Sequence, residues 1–230
     1  MKRRRVLGEV ERLAGLAAWL ADPQAEWGQG VSLLACWPPD QDPASAVARV
    51  EAEAHRWPPD ARTLPRFALG QLIAGEIRPY LRLIRALDLR VLWQVRDRPA
   101  LVHRMIVEAG VHQLHTFTTR YDRGEALIEL LVAHITGLRC IHIAGSAIGE
   151  TGALRLAACP ALAQLQHLDL PNNDVTDAGA EALLASPQLA GLHSLNLYGN
   201  RLSPAMVERL LAAPQWQQTR IVIHGQQPGG

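Results

Sequence analysis

Apolar residues in the second half of the chain follow two rhythms that alternate. From Leu138 the pattern reads L-x-x-I-x-I and then shifts to helical spacing, and the same succession restarts at Leu165 and Leu192. Laid over one another without gaps, the three segments align Ile141, Leu168 and Leu195 in one column and Ile143, Leu170 and Leu197 in another. Ile148, Val175 and Leu202 form a third column, Leu156, Leu183 and Leu210 a fourth, and Pro160, Pro187 and Pro214 a fifth. The period-two portion predicts a short strand with one apolar face. The portion that follows predicts a helix, with Thr176 and Ser203 as N-caps and Pro204 where the first helical N–H has no partner to lose. The recurrent proline ends each helix by removing a donor. One strand–helix unit cannot bury its apolar face alone, so the copies must stack.

Asn173 and Asn200 follow the strand pattern, where an amide side chain can both donate to and accept from a turning backbone. The whole motif, L-x-x-L-x-L-x-x-N-x-L followed by G-A-x-x-L, resembles the ribonuclease-inhibitor-like class of leucine-rich repeats. Gly152-Ala153 and Gly179-Ala180 carry the G-A pair; Met206-Val207 departs from it, and Ser146 stands where Asn is expected. The resemblance implies an α/β fold: a leucine-rich-repeat solenoid with short parallel strands on its concave face and helices on its convex face. The solenoid is expected over residues 81–225. Its clear repeats occupy 138–216, degenerate ones start at Ile84 and Val111, and a final strand covers 220–223. Residues 226–230 read as a disordered tail.

Residues 1–80 read as a helical segment that caps the solenoid or docks a partner. Val6, Val10, Leu13, Leu16 and Leu20 predict a helix over 6–21, and further helices are expected over 43–56 and 65–79. The tetrapeptide W-P-P-D occurs at Trp37–Asp40 and again at Trp57–Asp60.

In repeats of this class the non-leucine strand positions line the concave face. The central column then runs Asp88, His115, His142, Asp169, Asn196. The column before it holds Gln113, Cys140, His167, Ser194 and Arg220, and the one after it Phe117, Ala144, Pro171 and Tyr198. Adjacent strands lie about 4.8 Å apart, so His115, His142 and Asp169 are expected to form a ladder. Such a ladder could hold zinc or support acid–base chemistry. An open strand face ordinarily carries polar residues, however, and catalysis needs a partly closed pocket. The residues therefore point first to protein binding through His142, His167, Asp169, Asn196 and Tyr198, with no catalytic residue, metal or cofactor assigned. A metal-binding or hydrolytic protein and a self-assembling structural subunit are the alternatives.

Composition narrows the partner. Apolar residues make up 48% of the chain, charged residues 20%, and the net charge is only +1, which gives nucleic acid no basic face. No P-loop, nucleotide-binding glycine motif, nucleophile elbow, H-E-x-x-H or C-x-x-C is present. Cys36, Cys140 and Cys159 lack metal-ligand spacing and cannot all pair, which favours a reducing compartment. Glu9, Glu11 and Arg12 break the apolar stretch after Lys2–Arg5, so no secretory signal is expected. No apolar run reaches membrane-spanning length. The expectation is a cytoplasmic protein without membrane contact. Lys2 is the sole lysine among many arginines, a bias typical of a GC-rich bacterial genome.

Overall fold

The computed structural model describes residues 8–38, 42–90, 95, 97–121 and 123–227. The Lys2–Arg5 cluster, Val6, the second half of the first W-P-P-D and residues 228–230 lie outside them.

Four helices open the described chain: α1 (Glu9–Ala21), α2 (Trp27–Ala35), α3 (Ala44–Ala52) and α4 (Arg66–Ile73). Strand β1 (Ala86–Asp88) follows, then α5 (Arg98–His103), β2 (Thr116–Arg120), α6 (Gly124–His134), β3 (Cys140–Ala144) and α7 (Gly149–Ala157). The remainder is β4 (His167–Asp169), α8 (Asp177–Ala185), β5 (Ser194–Asn196), α9 (Pro204–Leu211) and β6 (Arg220–Val222). The six strands form one all-parallel sheet whose order is that of the sequence, making the chain a mixed α/β protein. Parallel neighbours require a crossover connection, and a helix supplies each one.

The apolar columns become the inner face of this sheet. Leu87, Phe117, Ile141, Leu168 and Leu195 are in register and buried, and Leu89, Thr119, Ile143, Leu170 and Leu197, two positions on, are buried as well. Against them lie Ile128, Leu131, Ala153, Leu156, Ala180, Leu183, Met206 and Leu210 from the helices. Burying one such leucine contributes about 1.5–3 kcal/mol. The G-A pairs have a packing reason: a Cβ on Gly179 would stand 3.0 Å from the Ala153 Cβ, so α7 and α8 approach on small side chains. Thr176 and Ser203 cap α8 and α9 by accepting from the Gly179 and Met206 amides.

Two expectations are corrected here. The strand after β1 does not fall a constant step before β3: Thr118, not His115, pairs with His142, a slip of three residues. The longer connection through α5 and the π-helical turn Arg104–Glu108 absorbs the difference, so Phe117 stands beside Ile141 in the inward column. The second correction is at the tail. Gln226 donates from Nε2 to the carbonyls of Leu197 (3.0 Å) and Ile223 (2.5 Å), and the Gln227 amide donates to Asn200 (2.7 Å). A free carboxamide thus does for the last turn what Asn200 does for the one before.

The N-terminal helices close the β1 end of the sheet, where Thr63 bridges Ala86 in parallel. The expected helix over 43–56 is α3 plus a 3-10 turn at Ala54–Arg56, and the one over 65–79 stops at Ile73, ahead of Gly75 with φ +85°. Helix α2 is absent from the sequence-based expectation because Gly28 and Gly30 read as punctuation. Gly30 is instead a contact residue, for a Cβ there would meet the Trp19 ring at 2.2 Å. Trp19 stacks on Trp57 at 4.7 Å, and Trp27 meets Trp57 edge-on at 5.7 Å. Each indole N–H donates to a backbone carbonyl: Trp19 to Glu26, Trp27 to Thr63, Trp57 to Ala25. Trp37 and Trp57, the heads of the two W-P-P-D segments, are both buried.

Candidate interaction face

Period two in the strands sends every second side chain away from the helices. On that outer face the central row is Asp88, Thr118, His142, Asp169, Asn196 and Val222, and the row before it is Ala86, Thr116, Cys140, His167, Ser194 and Arg220. The expected neighbours His142, His167, Asp169 and Asn196 therefore do share this face. Phe117 and Gln113 do not belong to these rows: Phe117 is in the core, and Thr116 takes the place assigned to Gln113.

The face is knitted laterally. His142 Nδ1 lies 3.2 Å from Asp169 Oδ2, with both side chains about one-third exposed. His167 Nδ1 lies 2.9 Å from the Ser194 hydroxyl, and its ring meets that of His193 edge-on at 5.9 Å. Asn196 Oδ1 accepts from the Tyr198 amide at 3.0 Å, an Asx turn that fixes the chain where it leaves β5. Tyr198 is 40% exposed, with its ring edge-on to His224 at 5.1 Å and backed by Gly225, where a Cβ would stand 2.7 Å from the ring.

His115 breaks the expected ladder. It precedes β2, and its Nδ1 lies 3.1 Å from Asp60 Oδ1, which also accepts from the Thr116 hydroxyl at 2.5 Å. Thr118 separates it from His142, and among the described residues no three His, Cys, Asp or Glu side chains group to hold a metal. His115, His142 and Asp169 therefore do not form one ladder. Asp60, the last residue of the second W-P-P-D, is a contributor that sequence order alone hid, since it reaches the sheet from 55 residues upstream of His115.

Electrostatics on the face are set locally. The Thr116 hydroxyl, with His115 adding to it against slight burial, holds the Asp60 carboxyl below its ordinary range. Burial pushes the Asp88 carboxyl up, but hydrogen bonds and charge from Arg90 more than offset this and leave it low. The Cys140 thiol is pushed up by burial and then by Asp169 and Asp60. Cys140 is consequently a poor nucleophile at neutral pH.

Compared with known families and with curated proteins, the chain matches no family model and no curated sequence. Among the described residues no helix is long and apolar enough to cross a membrane.

Proposed function

We propose that the chain is a leucine-rich-repeat solenoid of the ribonuclease-inhibitor-like class, and that it binds a protein partner through the outer face of its parallel sheet. The observation that carries this is the row His142–Asp169–Asn196 with Tyr198 beside it: polar, partly exposed and laterally pre-organised by hydrogen bonds. Pre-organised side chains lose little freedom on binding, and a tyrosine offers a large contact area with a polar tip. The face is open along its strands, which suits an extended macromolecular contact better than a substrate pocket. On this proposal the protein is a binding module of a bacterial cytoplasm rather than an enzyme.

Capture from the host lysate tests it. Wild type is compared with a variant carrying His142→Ala, Asp169→Ala and Tyr198→Ala, with circular dichroism as the check that both fold. A partner retained by wild type and lost from the variant supports the face as the interface. A partner held equally by both removes it. The assembly alternative predicts that mass by light scattering rises with concentration for the protein alone.

A further inference from the structure

We propose that the pocket where β1 and β2 begin binds a phosphate-class dianion. The pocket is lined by Arg62, Arg85, Gln113 and His115, with Pro59 and Leu114 as its apolar part. It stands whether or not the outer face binds a protein.

Arg62 is only 8% exposed, and its Nε has no hydrogen-bond partner. Its guanidinium lies over the Trp27 ring, 5.8 Å from the centroid, a contact that leaves its charge without a counter-ion. Arg85, half-buried on the same pocket, spends Nη1 on the carbonyls of Arg82 (2.7 Å) and Ile84 (2.9 Å). The acids nearby are committed elsewhere. Glu51, whose field reaches both arginines, is bridged to Arg82 at 3.2 Å. Asp60 is held by Thr116 and His115. Burial, and after it the charge of Arg85, together lower the Arg62 pKa to about 10, and burial lowers that of Arg85 as well.

Two guanidinium groups line this pocket and no carboxylate does, a costly arrangement because a buried charge needs a counter-charge. An anion seated in the pocket supplies it. A phosphate carries about −1.5 to −2 charges at neutral pH and three acceptor oxygens, which match two guanidiniums; a carboxylate leaves one of them unbalanced. The Gln113 amide adds a neutral donor on the same wall.

Titration of 15N-labelled full-length protein with inorganic phosphate, at constant ionic strength maintained with sodium chloride, tests the site. The expected result is saturable shifts of the amides of Gln113, His115 and Gly137, the last also in the pocket lining, weakened about tenfold or more in Arg85→Gln. Arg85 is the residue to change because Arg62 also packs on Trp27, and its replacement risks the fold; Arg62→Lys, checked by its amide spectrum, is the second variant and should weaken binding too. Acetate serves as the monoanion control. Absent shifts, equal saturation by acetate, or unchanged binding in a folded Arg85→Gln would each overturn the proposal. A phosphoserine peptide distinguishes the source. Binding tighter than that of inorganic phosphate supports a phosphate ester carried by a partner, and binding no tighter supports free phosphate as the ligand.

Discussion

Asn200 Oδ1 accepts from the amide of Asn173 at 3.0 Å, and from that of Val175 at the same distance, linking residues one repeat apart in the interior of the turn. Its Nδ2 donates to the carbonyls of Leu170 and Leu197, both at 2.9 Å. Asn173 does likewise one turn earlier, accepting from Ser146 and donating to Ile143 and Pro171. Both side chains are fully buried, so each substitutes for water at backbone groups the bending chain leaves unpaired.

Asn200→Ala is accordingly expected to cost about 2–4 kcal/mol, since buried groups left without partners cost about 1–3 kcal/mol each and neighbouring backbone partly relaxes. Asn196→Ala, on the outer face, should cost less than about 1 kcal/mol. Urea unfolding of both variants measures the difference, and equal midpoints would show that the buried asparagine is not the support described.

The α1–α2 contact makes an opposed pair of predictions. Gly30→Ala drives a methyl into the Trp19 ring and should destabilise by about 1–3 kcal/mol. Gly28→Ala meets nothing within 4 Å and should be neutral or stabilise by up to about 1 kcal/mol through helix propensity. Thermal melts of the two variants decide it, and a Gly30→Ala protein as stable as wild type would contradict the packing.

Asp60 should give acid stability a recognisable shape. Its carboxyl is lowered in the folded protein, so its contribution is present above the unfolded carboxylate pKa of about 3.9 and is lost as pH falls through the lowered value. The gap in stability between wild type and Asp60→Asn should be open above pH about 4 and close below it. A gap that remained open at the acid end would mean that Thr116 and His115 do not hold the charged form.

Alkylation of the native protein at mildly alkaline pH should modify Cys36 first, Cys140 more slowly and Cys159 last. Cys36 is exposed, the Cys140 thiol is raised by burial and two carboxylates, and Cys159 is buried. Peptide mass mapping over time reads the order. Rapid modification of Cys140 would indicate a thiolate that its surroundings do not predict.

Periodicity by itself determined the strand–helix alternation from Leu138 onwards, the buried columns, the two serine/threonine caps and the inward asparagines. Each of these is dictated by residues close in sequence; the strand–helix alternation recurs in all three clear repeats, the caps and asparagines in the second and third. It also placed His142, His167, Asp169 and Asn196 on consecutive strands, with Tyr198 just past the end of β5. Tertiary structure decided the rest. The register of β2 depends on how much chain α5 and its π-helical turn consume, a matter of packing that no column of apolar residues records. Helix α2 packs closely on α1 because Gly30 leaves room for the Trp19 ring, and Asp60 reaches His115 from the second W-P-P-D, whose Trp57 is locked into the tryptophan cluster. The juxtaposition of Arg62 with Arg85 has the same origin: spatial neighbours distant along the chain meet through the packing of a unique core, which local rhythm cannot encode.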